Sequence, residues 1–217
     1  MTIAIVPVVD LSALLGQARH QGLRSTCMAF AMSDLNRVTA DAPDVLSAEF
    51  LYQTAGALID GWRPSEGLYT WAAIRAISSP GQPLETAFPY QTKEPTGVGA
   101  PSAPPGARLF GSQVSTSHNT MQSVIDGLAQ GVPVGLVTRM TQGFFNPVGG
   151  VVAHETQARP DEYHAILAVG WGTEPTSGSR YLFIRNSWGT GWALNGHAWL
   201  PEPFVDLHVL EAFGGRT

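Results

Sequence analysis

The helical and the strand patterns of this sequence occupy different halves of the chain, and this separation restricts the fold that it can adopt. Apolar residues recur with helical spacing from Thr26 onward, from Ser47 to Ile59 and from Leu68 to Ser78. The second half begins with one short amphipathic helix, Thr120 to Gly131, and continues mostly as strands. Helices followed by strands are typical of an α+β fold.

Three runs in the second half have the β-branched and aromatic composition of strands. They read "VPVGLVTRM", "YHAILAVGWG" and "RYLFIRNSW", bounded by Gly, Pro and Ser. The stretch from Gly172 to Ser179 is predicted to be the loop of a hairpin that joins the last two runs. Between the two halves, Gln91 to His118 is rich in Pro and Gly, which indicates a long ordered loop or a crossover between lobes.

The bulk composition excludes several classes of protein. Apolar residues make up 44% of the 217 residues and charged residues 13%, which is an ordinary globular composition and not a disordered one. The net charge of −5 argues against a nucleic-acid partner, which would favour a basic face. No run approaches the roughly 18 apolar residues of a membrane span. The N-terminal stretch also lacks the basic segment of a signal peptide, so we expect no association with a membrane.

Cys27 is the only cysteine of the chain. An intrachain disulfide is therefore impossible, and the sequence fits a reducing compartment, so we expect a cytoplasmic protein. A single cysteine also excludes a zinc site built from several thiolates, and no pair of His, Cys or Asp has the spacing of metal ligands. The sequence contains no glycine-rich phosphate loop or dinucleotide motif. We therefore expect neither a metal nor a cofactor.

Two roles fit a solitary cysteine at this position, a small buried apolar residue or a nucleophile. A thiol attacks as the thiolate, and its ordinary pKa of about 8.5 leaves little thiolate at neutral pH. A helix N-terminus and a neighbouring imidazolium both lower that pKa. Cys27 lies at the start of a predicted helix, so it can use the first effect. The second effect requires a histidine from elsewhere in the chain.

His164 and Asn186 are the residues best placed in the strand pattern to complete such a site. His164 lies within the apolar run "YHAILAVGWG", either as a hydrogen-bonded core residue or as a group that is held rigidly for catalysis. Asn186 follows the next run, in "IRNSWGTGW", and an amide there can hold an imidazole in one tautomer and orientation. Each residue alone leaves both interpretations open.

Three blocks of the sequence resemble, in their order, the signature blocks of the papain-like cysteine peptidases. The blocks are "QGLRSTCMAFA", "DEYHAILAVGWG" and "RNSWGTGWALNGHAWL". His164 follows Cys27 by 137 residues, within the family's separation of roughly 130–150 residues. Asn186 follows Cys27 by 159 residues, slightly beyond that range, and the loop from Gly172 to Ser179 would account for the excess. The intervening stretches "EGLYTWAAIRAISSPGQPLETAFPY" and "FFNPVGGVV" are also similar to segments of that family. The resemblance extends from about Asp10 to about Leu200.

The resemblance implies a role for each matching residue. Cys27 would be the nucleophile, His164 the base that forms a thiolate–imidazolium pair with it, and Asn186 the group that orients the imidazole. Trp188 would cover the Asn–His contact and shield it from water. Gln21 would donate its side-chain N–H to the oxyanion, with the backbone N–H of Cys27 as the second donor, and such donors stabilise the charge that develops during attack.

Three further residues are expected at the substrate. Gly67 resembles the family's glycine whose backbone pairs with an extended peptide. Tyr163 stands where many relatives have Asp or Asn, which would change the shape of the leaving-group side. Glu162 would favour basic substrates if it lines the cleft. The expected substrate is therefore a peptide or a protein.

The sequence departs from the family around the nucleophile. The stretch "LRSTCM" replaces "CGSCW", and Leu23 is taken as the counterpart of the lost first cysteine. Met28 replaces the tryptophan that follows the nucleophile, and Arg24 and Thr26 are larger than the usual Gly and Ser, which would narrow the cleft. A version without the disulfide is compatible with an intracellular, bacterial branch of the family.

We therefore expect a single papain-like domain over residues 1–217, with the active-site cleft between two lobes. Residues 1–10 would form a strand that crosses between the lobes, residues 11–110 the helical lobe and residues 111–217 the β-barrel-like lobe. The expected activity is peptide-bond hydrolysis through an acyl-enzyme thioester. The alternatives are a catalytically idle peptide-binding module, and a ligase or transpeptidase that uses the same acyl-enzyme. No inhibitory pro-segment is recognised, so we also expect narrow specificity, an inhibitory or regulatory partner protein, or a pro-segment outside this sequence.

Overall fold

The computed structural model describes residues 4–215, which form two compact units. Residues up to His20 and residues 116–215 make up one unit, here called the β unit, and residues 21–115 make up the other, the helical unit. The first three residues of the predicted N-terminal strand lie outside the described residues. How the lobes predicted at 11–110 and 111–217 are arranged remains a prediction.

Three helices build the helical unit, and all three were predicted from the sequence. They are α1 (Cys27–Thr39), α2 (Ala48–Gly56) and α3 (Thr70–Ser78). Ser47 is the N-cap of α2, since its Oγ accepts the N–H of Phe50 at 3.0 Å. Thr26 precedes α1 without a side-chain capping bond. The predicted α2 is longer than the observed one because Leu58 and Ile59 lie in a turn beyond the helix end.

The first helix is buried on every side. Each residue from Met28 to Asn36 is buried, which is the pattern of a central helix rather than of a surface helix with one apolar stripe. A chain of hydrogen bonds through two buried amides runs along its side. Asn36 donates from Nδ2 to Gln82 Oε1 at 2.8 Å, and Gln82 donates from Nε2 to Ser33 Oγ at 2.7 Å. This network fixes α1 against the chain around Gln82.

An antiparallel sheet forms most of the β unit. Its strands are β1 (Val6–Asp10), β2 (Ser115–Ser117), β3 (Val134–Arg139), β4 (Tyr163–Thr173), β5 (Arg180–Arg185), β6 (His197–Pro201) and β7 (Val209–Gly214). The order is β2-β7-β3-β4-β5-β6, and β1 pairs with β4. The predicted hairpin is present, because Gly172 pairs with Tyr181 and Thr173 with Arg180. At Gly170 a Cβ would lie 2.3 Å from the carbonyl oxygen of Val9, so only glycine lets β1 approach so closely.

Three helices pack with this sheet. They are α4 (Met121–Ala129), α5 (Gln142–Phe145) and α6 (Glu202–His208). The sequence pattern predicted α4 and missed the two shorter helices. In the structure Thr120 caps α4, since its Oγ1 accepts the N–H of Ser123 at 3.2 Å. The core contains apolar residues of α4, the sheet and α6, among them Val124, Leu136, Leu182 and Phe204. Helices before strands in one chain confirm the predicted α+β class.

The Pro- and Gly-rich segment predicted as a loop, Gln91 to His118, belongs almost wholly to the helical unit, and it departs from the prediction at its end, where Ser115–Ser117 form β2. From Gln91 to Val114 it has no helix and no strand, and Phe110 forms an isolated bridge with Gln82. Among residues 4–215, no helix is long and apolar enough to span a membrane. The same residues contain no group of three or more His, Cys, Asp or Glu side chains that could hold a metal ion.

Candidate active site

The thiol of Cys27 belongs to the first residue of α1, in the helical unit. Cys27 is half-buried. The residues that precede it, 21–26, form a turn. We call it the oxyanion turn because it contains Gln21, which the family resemblance implies as an oxyanion donor. Within this turn Gln21 is buried, and its Nε2 donates to the carbonyl oxygen of Arg24 at 2.7 Å. The direction of the Gln21 amide is therefore set by the backbone at Arg24.

Two side chains of the oxyanion turn point into the helical unit, contrary to expectation. Arg24 is 5% exposed and pairs with Glu49, and Thr26 is buried with its Oγ1 2.8 Å from the hydroxyl oxygen of Tyr90. The expectation that Arg24 and Thr26 narrow the cleft is therefore wrong, because both side chains are packed inside the unit. Their polar groups find partners there that compensate for the loss of water.

The position of the lost cysteine also needs correction. In the family pattern C-G-[SA]-C-[WY] the first cysteine lies three residues before the nucleophile. Counted back from Cys27, that position is Arg24 and not Leu23. Leu23 is fully exposed, whereas Arg24 is buried as the missing cysteine would be.

The β unit brings His164 and Asn186 together. His164 is the second residue of β4, opposite Thr138 of β3, and Asn186 follows the last residue of β5. His164 Nε2 lies 2.7 Å from Asn186 Oδ1. The same Oδ1 accepts the backbone N–H of Ser187 at 2.8 Å, which identifies it as the oxygen of the amide. Nε2 of His164 therefore carries a proton, and Nδ1 is the nitrogen that exchanges a proton in a reaction.

Aromatic rings surround this pair. The ring centroid of Trp188 lies 4.9 Å from that of His164, and the ring of Phe145 stacks on Trp188 with a centroid distance of 5.4 Å. Phe144 is fully buried and contacts His164 edge-on at 5.9 Å. Trp192 stacks on Phe144 at 5.5 Å. Such rings exclude water and hold the imidazole in one orientation.

Arg185 fixes the chain next to Asn186. Its buried guanidinium donates to the carbonyl oxygens of Gly16 at 2.8 Å and Gln17 at 2.6 Å. Asn186 also donates its backbone N–H to the carbonyl oxygen of Gly196 at 2.9 Å. The end of β5 is thus held from both sides, and the Asn186 side chain starts from a fixed backbone.

The predicted substrate residues differ in their surroundings. Gly67 is exposed, and its carbonyl oxygen accepts the indole N–H of Trp62 at 3.2 Å. Tyr163 is 57% exposed beside His164. Glu162 forms an ion pair with Arg159 at 2.7 Å, and the hydrogen bond from Arg159 lowers the pKa of the Glu162 carboxyl. Glu162 is therefore ionised but already neutralised by a neighbour.

Several residues of this region were not identified from the sequence. Phe144 contacts the ring of His164 and Phe145 stacks on Trp188, and the guanidinium of Arg159 lies 5.4 Å from the ring of Phe145. Glu49 and Tyr90 hold the oxyanion turn. Of these residues, only Phe144 and Phe145 lie in a segment that the family resemblance had singled out, "FFNPVGGVV".

Each unit holds one component of thiol-dependent acyl-transfer chemistry: the helical unit has a cysteine at a helix N-terminus, and the β unit has a histidine held by an amide. The family model of the papain family cysteine proteases matches residues 13–203. The chain therefore belongs to the papain family, as the resemblance predicted.

Curated relatives are similar over most of this chain. Papaya proteinase 4 of Carica papaya is 27% identical over 82% of the chain and 50% of its own length. A cysteine protease of Blomia tropicalis is 28% identical over 91% of the chain and 61% of its own length. Thiol protease aleurain of Arabidopsis thaliana is 32% identical over 70% of the chain and 42% of its own length. The chain thus spans about half the length of the curated relatives that it matches.

Solved structures confirm the predicted papain-like fold. Xylellain, a cysteine protease from Xylella fastidiosa, superposes with a TM-score of 0.77 at 22% identity, over 99% of this chain and 87% of that one. The Carica candamarcensis cysteine protease CMS1MS2, solved in complex with E-64, gives a TM-score of 0.75 at 22% identity, over 98% of this chain and 99% of that one.

Proposed function

We propose that this chain is a cysteine peptidase that hydrolyses peptide bonds through Cys27, His164 and Asn186. The observation that carries the proposal is the 2.7 Å contact between His164 Nε2 and Asn186 Oδ1 beneath Trp188. The backbone N–H of Ser187 locks the Asn186 amide, so the buried imidazole meets an acceptor oxygen that permits only one tautomer. The arrangement serves a base whose tautomer must be fixed.

The reaction proceeds by two acyl transfers. The Cys27 thiolate attacks the carbonyl carbon of the peptide, the S–C bond forms, and the carbonyl oxygen takes the negative charge. The C–N bond then breaks as His164 gives its Nδ1 proton to the leaving amine. Water next attacks the thioester, with His164 taking its proton, and the C–S bond breaks to release the acid and regenerate Cys27. Asn186 keeps the imidazole in position throughout.

The oxyanion of each step would be held by Gln21 and by the backbone N–H of Cys27. An amide NH₂ carries two N–H groups, and the bond to Arg24 O uses one of them to fix the direction of the group. Donors that are fixed before the reaction stabilise the transition state without reorganising. Loss of one such donor typically slows catalysis by about 10²–10³-fold.

We propose a peptide or protein as substrate, with Gly67, Tyr163 and Glu162 in contact with it. Tyr163 adjoins His164, which protonates the leaving amine, so its exposed ring would contact the leaving-group side. Because Arg159 neutralises Glu162, we propose a weak preference for basic substrates. The single thiol further supports work in a reducing compartment such as the cytoplasm.

The test is covalent labelling followed by intact mass measurement. Wild type, Cys27→Ala, His164→Ala and a control variant, His118→Ala, are exposed to an epoxysuccinyl peptide inhibitor near pH 6. We expect rapid single labelling of the wild type and of the exposed-histidine control, no labelling of Cys27→Ala, and much slower labelling of His164→Ala. A folded wild type that stays unlabelled would favour the idle binding module.

Hydrolysis and ligation are separated by product mass. A model peptide is incubated with the wild type with and without an added amine. Hydrolysis gives the free acid in both samples, whereas a ligase or transpeptidase gives the amide when the amine is present. Dominance of the amide product would replace the hydrolase proposal with the alternative.

A further inference from the structure

We propose that Arg24 is a positioning residue, which acts with Glu49, Glu94 and Tyr90 to hold the oxyanion turn in the shape that acyl transfer requires. These four residues are here called the clamp. The inference rests on the proposed peptidase function and concerns how this chain keeps Gln21 in place without a disulfide.

Most N–H groups of the Arg24 guanidinium form hydrogen bonds. Nη1 lies 2.5 Å from Glu49 Oε2 and donates to the carbonyl oxygen of Gln91 at 2.6 Å, and Nη2 lies 3.2 Å from Glu49 Oε1. Nε donates to Glu94 Oε2 at 3.0 Å. Glu49 is fully buried. Such a planar, two-pronged pair fixes position and direction together, which a lysine at this site would not.

Two aromatic rings add to this geometry. The guanidinium carbon of Arg24 lies 5.0 Å from the ring centre of Tyr52 and 4.9 Å from that of Tyr90. Burial by itself would lower the pKa of Arg24, but the hydrogen bond and charge of Glu49 more than offset it, so the pKa lies above its ordinary value. Arg24 thus remains a cation inside the helical unit. It pairs with the carboxylates of Glu49 and Glu94, and its guanidinium lies over the rings of Tyr52 and Tyr90.

Tyr90 holds the oxyanion turn at two other points. Its hydroxyl donates to the carbonyl oxygen of Gln21 at 2.8 Å. Because that hydrogen is used, the Thr26 hydroxyl is the donor in the 2.8 Å contact between Thr26 Oγ1 and Tyr90 Oη. One phenol therefore ties together the first and the last residue of the oxyanion turn.

The clamp is linked to the proposed oxyanion donor, Gln21, through the backbone of Arg24. The side chain of Arg24 is anchored by the carboxylates, its carbonyl oxygen receives Gln21 Nε2 at 2.7 Å, and Cys27 follows Thr26 directly. A shift of the Arg24 backbone would therefore move the Gln21 amide and the Cys27 N–H together. Displacements of about 1 Å in such donors already cost catalysis.

The position of Arg24 in the sequence supports this role. It stands where the family pattern has its first cysteine, three residues before the nucleophile. A covalent cross-link at that position would restrain the same turn. In this chain, with one cysteine, buried charges and a phenol restrain it instead.

The experiment separates positioning of the oxyanion turn from general folding. Two rates are measured for each variant: alkylation of Cys27 by iodoacetamide, which needs the thiolate but no oxyanion donors, and kcat/KM for a peptide amide. The principal variant is Arg24→Met with Glu49→Gln, which removes both charges at similar volume. Arg180→Met is the matched control, because Arg180 pairs with Glu202 in the β unit at a half-exposed site.

We expect the double variant to lose about 10²-fold in kcat/KM while alkylation changes less than threefold, and Arg180→Met to change neither rate. In a Gln21→Ala background the same pair of substitutions should cause a clearly smaller further loss, because the clamp then acts only through the backbone N–H of Cys27. Full additivity with Gln21→Ala, or an equal fall in both rates, would overturn the proposal.

Tyr90→Phe provides a second test if the double variant does not fold. It removes one hydroxyl and keeps the ring against Arg24, and we expect kcat/KM to fall about tenfold with alkylation unchanged; unchanged kcat/KM would overturn the proposal. The two rates of the wild-type protein test the peptidase function itself. If wild type is neither alkylated at an enhanced rate nor active, that function fails, whereas active wild type with active clamp variants refutes the clamp alone.

Discussion

The Nε2 of His164 lies 2.7 Å from Oδ1 of Asn186, and Oδ1 at the same time accepts the backbone N–H of Ser187. The second contact makes the first one directional, because a flipped amide would place an NH₂ group against an N–H donor. Asn186 therefore selects one imidazole tautomer without carrying a charge. In this respect it differs from a carboxylate partner, which also stabilises the imidazolium.

Asn186→Ala should lower kcat/KM by about 10–100-fold. This loss is smaller than the ~10⁴-fold loss that follows a wrong tautomer in a serine triad, because here no charged partner is removed. The measurement is steady-state hydrolysis of a peptide amide, with the melting temperature recorded beside it. A variant with wild-type kcat/KM would show that the amide does not orient His164.

Trp188→Ala should destabilise the β unit by about 3 kcal/mol, since it removes a ring that packs on His164 and Phe145. Activity should fall as well, because water gains access to the His–Asn contact. Urea unfolding followed by fluorescence measures the first effect and kcat/KM the second. Trp71→Ala is the control, since Trp71 is 52% exposed on α3 and its loss should cost less than about 1 kcal/mol.

His197 should make the stability of the protein depend on pH. Burial, and then the charge of Arg185, lower the pKa of His197 below its ordinary value of 6.5. The folded state thus favours the neutral ring, and the unfolded state binds a proton more readily. The stabilisation is complete above about pH 6.5 and is lost as the pH falls from there through the lower pKa of the folded state.

His197→Phe tests this pH dependence, because a phenyl ring retains the stacking on Phe183 that His197 makes at 5.2 Å. The free energy of unfolding is measured by urea titration at pH 7.5 and pH 5. We expect the difference between wild type and variant to shift in favour of the variant at pH 5. The exposed residue His118, changed to Gln, should show no such shift.

Arg159→Ala should increase the preference for basic residues on the leaving-group side. The hydrogen bond from Arg159 lowers the pKa of Glu162, and removal of Arg159 leaves a carboxylate that is still ionised at pH 7 but no longer paired. We expect kcat/KM for peptides with Lys or Arg on that side to rise severalfold relative to peptides with Gln. If the ratio does not change, Glu162 does not contact substrate.

The sequence alone determined the class of the fold and indicated the residues of the candidate site. Helical and strand periodicities are local properties, so α1, α2, α3, α4 and the β4–β5 hairpin could be predicted from short windows. The signature blocks around Cys27, His164 and Asn186 are likewise contiguous, and the family model that matches residues 13–203 confirms the family that they indicated. The short helices α5 and α6 were missed because four and seven residues are too few for a periodic pattern.

Only the tertiary structure decided where the side chains around these blocks point. Arg24 was expected to narrow the cleft because its side chain is larger than the small residue usual in the family, yet Glu49 and Glu94, 25 and 70 residues later, make its burial favourable. The aromatic rings that contact His164 likewise come from α5 and from the chain after β5. No local pattern records such partners, since the free energy of placing a charge or a ring depends on residues that meet only when the chain has folded.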